Sequence, residues 1–118
     1  MANEPLDSWE KVEAFALSLP GTQAKAGRMA SVEVAANYRY FVFTGREPDT
    51  SFAVAIDLGT IEMLKETEPE TYWQSPHYEG WPAVLVRYDS RDPARVRQVI
   101  EQAYQQAAAK KPARARKK

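Results

Sequence analysis

Between residues 31 and 57 the chain carries three strand-like runs with no helical stretch between them, and this constrains the fold more than any other feature. Val32 and Val34 alternate with Ser31 and Glu33, the pattern of a half-buried strand. Tyr38 to Thr44 is aromatic and branched on both faces, which suits a central or doubly covered strand. Phe52, Val54 and Ile56 then alternate with Ala53, Ala55 and Asp57. Parallel neighbours need a crossover of a dozen or more residues. Here only Ala35–Asn37 and the polar loop 46–51 separate the runs. The strands must therefore pair antiparallel, which predicts an α+β domain with helices on one side of the sheet.

Helical patterns bracket this region. Trp9, Val12, Phe15, Ala16 and Leu19 recur at spacings of three and four, as on an amphipathic helix. Asp7 and Glu10 have capping-box spacing, and Pro20-Gly21 stops the helix. Thr60 is the expected cap of a short second helix, which Pro69 ends or restarts. Ala83–Tyr88 reads as a fourth strand. Asp92-Pro93 then starts the last helix, with Asp as cap and Pro in the first turn. Its stripe is Val96, Val99, Ile100, Ala103, Tyr104 and Ala107, and Lys110 and Lys111 suit its C-terminal dipole.

Charge divides the chain. The net formal charge is zero, but six of the 16 basic residues lie in 110–118. Residues 1–109 keep 10 positive against 16 negative charges, a formal −6. The expected organisation is one acidic domain, 1–109, followed by a basic tail, 110–118, without fixed structure. Such a tail serves as a solubilising end or as an attachment to nucleic acid. If all six tail charges neutralised phosphates of a duplex, log K would fall against log salt with a slope of about −5.

With 118 residues and 44% hydrophobic content, the chain can build a core without staples. It has no cysteine, which removes disulfides, thiolate metal sites and thiol nucleophiles. The N-terminal sequence lacks a signal-peptide pattern, and no apolar run approaches a membrane span. A cytoplasmic, monomeric domain away from membranes is the expectation.

Catalytic signatures are sparse. The only histidine is His77. Ser75 lies near it and Asp57 could complete a triad, but no spacing or nucleophile elbow supports one. Glycine loops for phosphate are absent from the sequence. Asp7, Glu10 and Glu13, or Glu62 and Glu66, could form acidic helix faces for a hard cation, and solvated helices carry the same pattern. The expectation is a non-enzymatic protein with no cofactor and no metal.

Two groups remain as binding candidates. Trp73, His77, Tyr78 and Trp81 fall in an aromatic, proline-broken segment, 72–82, which either seals an edge of the core or forms a small-ligand, protein-binding or base-stacking surface. Within residues 1–109 arginines outnumber lysines seven to three. Arginine suits phosphate and base-edge contacts. The nucleic-acid candidates are Arg39, Arg46, Arg87, Arg91 and Arg95, with Lys110, Lys111, Arg114, Arg116, Lys117 and Lys118 of the tail.

Over residues 8–111 the sequence resembles the MmcQ/YjbR-like family of small bacterial proteins. The shared features are Leu19-Pro20-Gly21, the hairpin through Val32, Val34, Tyr40, Phe41 and Phe43, and the short helix before Pro69. They continue with Pro76-His77-Tyr78-Glu79-Gly80-Trp81, the strand Val84–Tyr88, and Ala103-Tyr104 in the last helix. The resemblance implies a CyaY-like fold, a twisted antiparallel sheet packed on one face by the N- and C-terminal helices. It also implies DNA as partner, met by a double wing of hairpins. Iron binding through an acidic first helix, as in frataxin-type proteins of this fold, is a lesser implication.

Overall fold

The periodic apolar stripe at the start of the chain becomes α1 (Trp9–Leu17), which buries Val12 and Ala16 and lays Trp9 and Phe15 against the core. Its cap is Ser8, whose Oγ accepts from Lys11 N at 3.3 Å, and not Asp7. Asp7 instead makes an exposed ion pair with Lys11 at 3.0 Å. A hydroxyl one residue closer to the helix is better placed for the free amides of the first turn. Gly21, at φ 71°, reverses the chain into β1 (Thr22–Lys25). Thr22 Oγ1 donates to the carbonyls of Ala16 and Leu19, at 3.1 and 2.9 Å, satisfying acceptors that the ended helix leaves open.

The computed structural model describes residues 4–26, 29–45, 47 and 49–112. These residues form three helices and one six-stranded sheet. After β1 come β2 (Ser31–Val34), β3 (Arg39–Thr44), β4 (Ser51–Ala55), α2 (Leu58–Thr67), β5 (Tyr72–Trp73), β6 (Ala83–Arg87) and α3 (Pro93–Ala109). The sheet order is β1-β2-β3-β4-β6-β5, and every neighbouring pair is antiparallel. The α+β architecture expected from the sequence is thus present, with β1 and β5 added at its two edges. Among the described residues no helix is long and apolar enough to cross a membrane.

One face of the sheet carries the main core. Val32, Phe41, Val42, Phe52, Val54, Val84 and Val86 are fully buried there, with Ile61 and Leu64 of α2 and Ile100 and Ala103 of α3. Burying a side chain of this size stabilises by roughly 1.5–3 kcal/mol relative to leaving it in water. Asp92 caps α3 through Arg95 N at 3.1 Å, as the sequence predicts. The cap of α2 is Asp57, and Thr60 sits within the helix as the donor to it. Asp reaches the first-turn amides as well as Thr does, and it begins three residues earlier.

A register shift in β3 decides what the other face presents. Val32 pairs with Val42 and Glu33 with Tyr40, which leaves Phe41 as an extra residue. This bulge puts both Phe41 and Val42 on the core side. Tyr40 and Phe43 then share the opposite face, with ring centroids 5.2 Å apart at 80°. A second, smaller cluster forms there from Phe43, Ala53, Ala83 and Leu85, against which Ala55, Trp73 and Tyr78 pack.

Candidate functional site

The face away from α1 and α3 is only partly roofed. The cover is the segment between β5 and β6, and its shape follows from local hydrogen bonding. Tyr78 N and Glu79 N both donate to Ser75 O, at 2.9 and 3.2 Å, and Trp81 N donates to Tyr78 O at 2.8 Å. Gly80 takes φ 83°, a value that a side-chain-bearing residue adopts only under strain. Gln74 organises the whole stretch. Its Nε2 lies 3.0, 3.0 and 2.8 Å from the carbonyls of Tyr78, Trp81 and Ala83, and its Oε1 accepts from Lys65 at 3.0 Å. Tyr78 is thereby laid over the sheet, 6.4 Å from Phe43 between ring centroids, with His77 edge-on to it at 5.2 Å.

Tyr78 borders a groove of about 390 Å³ on this face. Phe43, Ala55 and Ala83 line it from the sheet. Around it stand Met29, Tyr38, Tyr40 and Trp81, which are 46%, 61%, 51% and 63% exposed. Single exposed apolar side chains are ordinary, but four of them line one opening here, and a contiguous apolar patch marks an interaction surface. A smaller hollow of about 200 Å³, lined by Glu47, Ser51, Trp73 and Ser75, lies on the other side of Tyr78.

The turn between β2 and β3 forms one wall. Asn37 is buried at 6% exposure, and its Nδ2 donates to Ala107 O at 2.8 Å and to Lys110 O at 3.1 Å. Its Oδ1 accepts from Arg39 N at 3.1 Å. Asn37 thus closes the turn and caps the last carbonyls of α3 at once. Arg39 Nε adds a bond of 2.8 Å to Lys111 O. The root of the basic tail is therefore fixed beside the groove, and Arg39 and Lys110 both line it. Tyr38, held in this turn, has φ 61°, a left-handed conformation that costs a residue with a Cβ about 1 kcal/mol or more.

The arginine series does not gather on one surface. Arg39 joins Lys110 and Lys111 at the groove. Arg87 lies four residues along β6 from Ala83, about 13 Å away at ~3.3 Å per residue, with its guanidinium 4.2 Å from the Trp73 ring centroid. Arg91 and Arg95 stand at the start of α3. Lys110 follows its end, about 25 Å away at ~1.5 Å per residue. Arg95 is paired with Glu68 at 3.1 Å, while Arg91 is exposed. Arg46, Arg114, Arg116, Lys117 and Lys118 lie outside the described residues. Of the aromatic candidates, His77, Tyr78 and Trp81 line the large groove, and Trp73 lines the small hollow.

The catalytic alternative gains no geometry. Asp57 is occupied as a helix cap: it accepts from Thr60 N at 2.9 Å, Thr60 Oγ1 at 2.7 Å and Gln106 Nε2 at 2.6 Å. The bonds from Thr60, and then from Gln106, hold its carboxyl below the usual carboxylate range. Among the described residues no group of three or more His, Asp or Glu side chains could hold a metal ion.

Sequence reading found the 72–82 aromatics by composition. It missed Met29, Tyr38 and Tyr40 as their partners, and Asn37 and Gln74 as the residues that set their frame. The signal for Tyr40 was the two-sided apolarity of 38–44, which a bulge converts into one exposed and one buried face.

This chain is similar in structure to Deinococcus radiodurans protein DR2400, whose crystal structure contains a DUF419 domain. The TM-score is 0.74 at 16% identity, over 92% of this chain and 83% of that one. That likeness establishes the fold. No family model matches the sequence, and no curated protein is significantly similar to it.

Proposed function

We propose that this chain is a non-enzymatic DNA-binding module of the MmcQ/YjbR-like kind, and that it meets DNA at the groove between Tyr38, Tyr40 and Trp81. The observation that carries this reading is the joining of exposed rings to cations: Arg39 and Lys110 line the same opening as the three aromatics. Rings offer stacking to bases, and the cations offer attraction to phosphates. The four further cations of residues 113–118 continue from a point that Asn37 and Arg39 tie to this rim. The resemblance to the MmcQ/YjbR-like family supports the same reading.

The test is fluorescence anisotropy of labelled DNA, both single-stranded and duplex, against the full chain and a chain ending at residue 112. Ending at 112 retains Lys110 and Lys111, whose carbonyls hold the rim together. Affinity should fall with salt, and loss of the four terminal cations should make the log–log slope shallower by about 3. Absence of binding to either DNA at low salt would refute the proposal.

A second reading is a small planar ligand in the same groove. Its volume of about 390 Å³ favours this, since ligand sites run from roughly 300 to 1,000 Å³. Quenching of Trp81 fluorescence by a metabolite, with no response to DNA, would select it.

A further inference from the structure

Resting on the DNA reading, we infer that the groove takes an unpaired strand, with bases stacked on Tyr38, Tyr40 and Trp81, and does not read a duplex. In a duplex the base faces are covered by their neighbours, so exposed rings have nothing to stack on unless steps are wedged apart. Here each of the three rings is more than half exposed. They stand around one opening and are not spread along a surface.

The charge distribution fits a single backbone. Residues 1–109 hold 10 basic against 16 acidic side chains, and the described arginines beyond the rim are scattered: Arg87 is stacked on Trp73, Arg95 is paired with Glu68, Arg97 lies over Phe15, and Arg91 is exposed at the start of α3. A broad cationic face of the kind that spans two phosphate strands is therefore missing from the described surface. What remains is a narrow cationic rim of Arg39 and Lys110 beside an apolar floor, with Lys111 next along the chain. An unpaired strand can lay its phosphates along such a rim and turn its bases inward. The β2–β3 turn offers no alternative for duplex entry. Ala35, Ala36, Asn37 and Tyr38 bring no cation to its tip, and Asn37 is turned inward onto α3. Of the acids near this face, Glu33 is buried at 5% exposure and accepts from Gln23 Nε2 at 2.6 Å, while Glu79 is exposed in the covering segment, two residues before Trp81.

The backbone at Tyr38 adds an independent sign. A non-glycine residue at φ 61° is strained, yet its ring is 61% exposed and makes no core contact that would repay the strain. Stacking on a ligand explains why an aromatic occupies the position.

The experiment measures affinity of the full chain for a short labelled deoxythymidine strand and for a duplex of equal length, at fixed low salt. The variants are Tyr38→Gly, Tyr40→Ala, Trp81→Ala and Trp81→Phe. The single strand should bind at least about ten-fold more tightly than the duplex. Each ring removed should weaken it by roughly 5- to 150-fold, and Trp81→Phe should retain most of the affinity. Glycine accepts the backbone of position 38, so Tyr38→Gly removes the ring without adding strain. Equal or tighter duplex binding overturns this inference and leaves the DNA reading standing. Wild-type affinity in all the ring-removing variants also overturns it. Failure to bind either DNA removes both.

Discussion

The two faces of the sheet are built from the same strands but differ in what covers them. On the face toward α1 and α3, Phe41, Val42, Phe52, Val54, Val84 and Val86 are fully buried. On the opposite face a smaller cluster, Phe43, Ala53, Ala83 and Leu85, sits beneath a nine-residue segment between β5 and β6. Small residues there leave space, and the rim is set with exposed rings. The first face has the character of a structural core, with a hollow of about 560 Å³ lined by Lys11, Phe15 and Arg97 at its margin. The second has the features of a surface kept open, since its apolar groups are presented and not enclosed. Strand residues alternate between these faces, so a single bulge at Phe41 determines which aromatic serves which role.

The largest effect that separates the faces should come from Phe41→Ala. This side chain is fully buried and edge-on to Tyr104 at 5.5 Å. Its loss should destabilise by about 3–5 kcal/mol in chemical denaturation. Trp81→Ala on the open face should change stability by less than about 0.5 kcal/mol. Similar values for the two would dissolve the distinction.

Asn37→Ala tests the joint between the groove and the tail. Three hydrogen bonds disappear from a buried position, two of them on the last carbonyls of α3. The expected loss is about 2 kcal/mol, read by thermal or urea unfolding. DNA affinity should fall with it, because Lys110 and Lys111 are then no longer fixed beside Tyr38. A stable variant with unchanged affinity would show that the joint does not matter to binding.

How much of this was legible beforehand differs between elements for physical reasons. α3 announces itself, because Val96, Val99, Ile100, Ala103 and Ala107 all face one core and repeat with the helical period. β1 does not: Gln23, Ala24 and Lys25 lie exposed on an edge, so burial imposes no alternation on them. β5 is two residues long and falls below any periodic signal. The cluster 72–82 was visible as composition. Its union with Tyr38, Tyr40 and Lys110 was not, since strand register and the end of a helix bring these together across the chain. Whether the arginines share one surface was not legible either: distance along β6 and the length of α3 carry Arg87, Arg91 and Arg95 away from Arg39.

Alkaline titration probes the closed face with a smaller effect. Burial pushes the Tyr88 hydroxyl up to about 12, and burial followed by the nearby Glu68 charge pushes Tyr72 higher still. Both folded values lie above the ordinary one of ~10. The stability they contribute is therefore fully present below pH ~10 and lost as pH rises through the folded values. Tyrosinate absorbance from these two residues should appear together with unfolding; ionisation of both in a still-folded chain would contradict their burial. Neither hydroxyl has a hydrogen-bond partner, so Tyr72→Phe and Tyr88→Phe should each stay within about 1 kcal/mol of neutral, with a slight gain expected. A larger loss in urea unfolding would mean that a partner such as an ordered water holds the hydroxyl.

The division of labour between the faces is tested most directly by an amide NMR titration of the full chain with a short deoxythymidine strand. Shifts should concentrate at Tyr38–Tyr40, Ala55, His77–Ala83 and Lys110–Lys111, while Val12–Ala16 and Val96–Ala103 stay in place. Shifts centred on α1 or on the body of α3, or confined to residues after 112, would contradict the account.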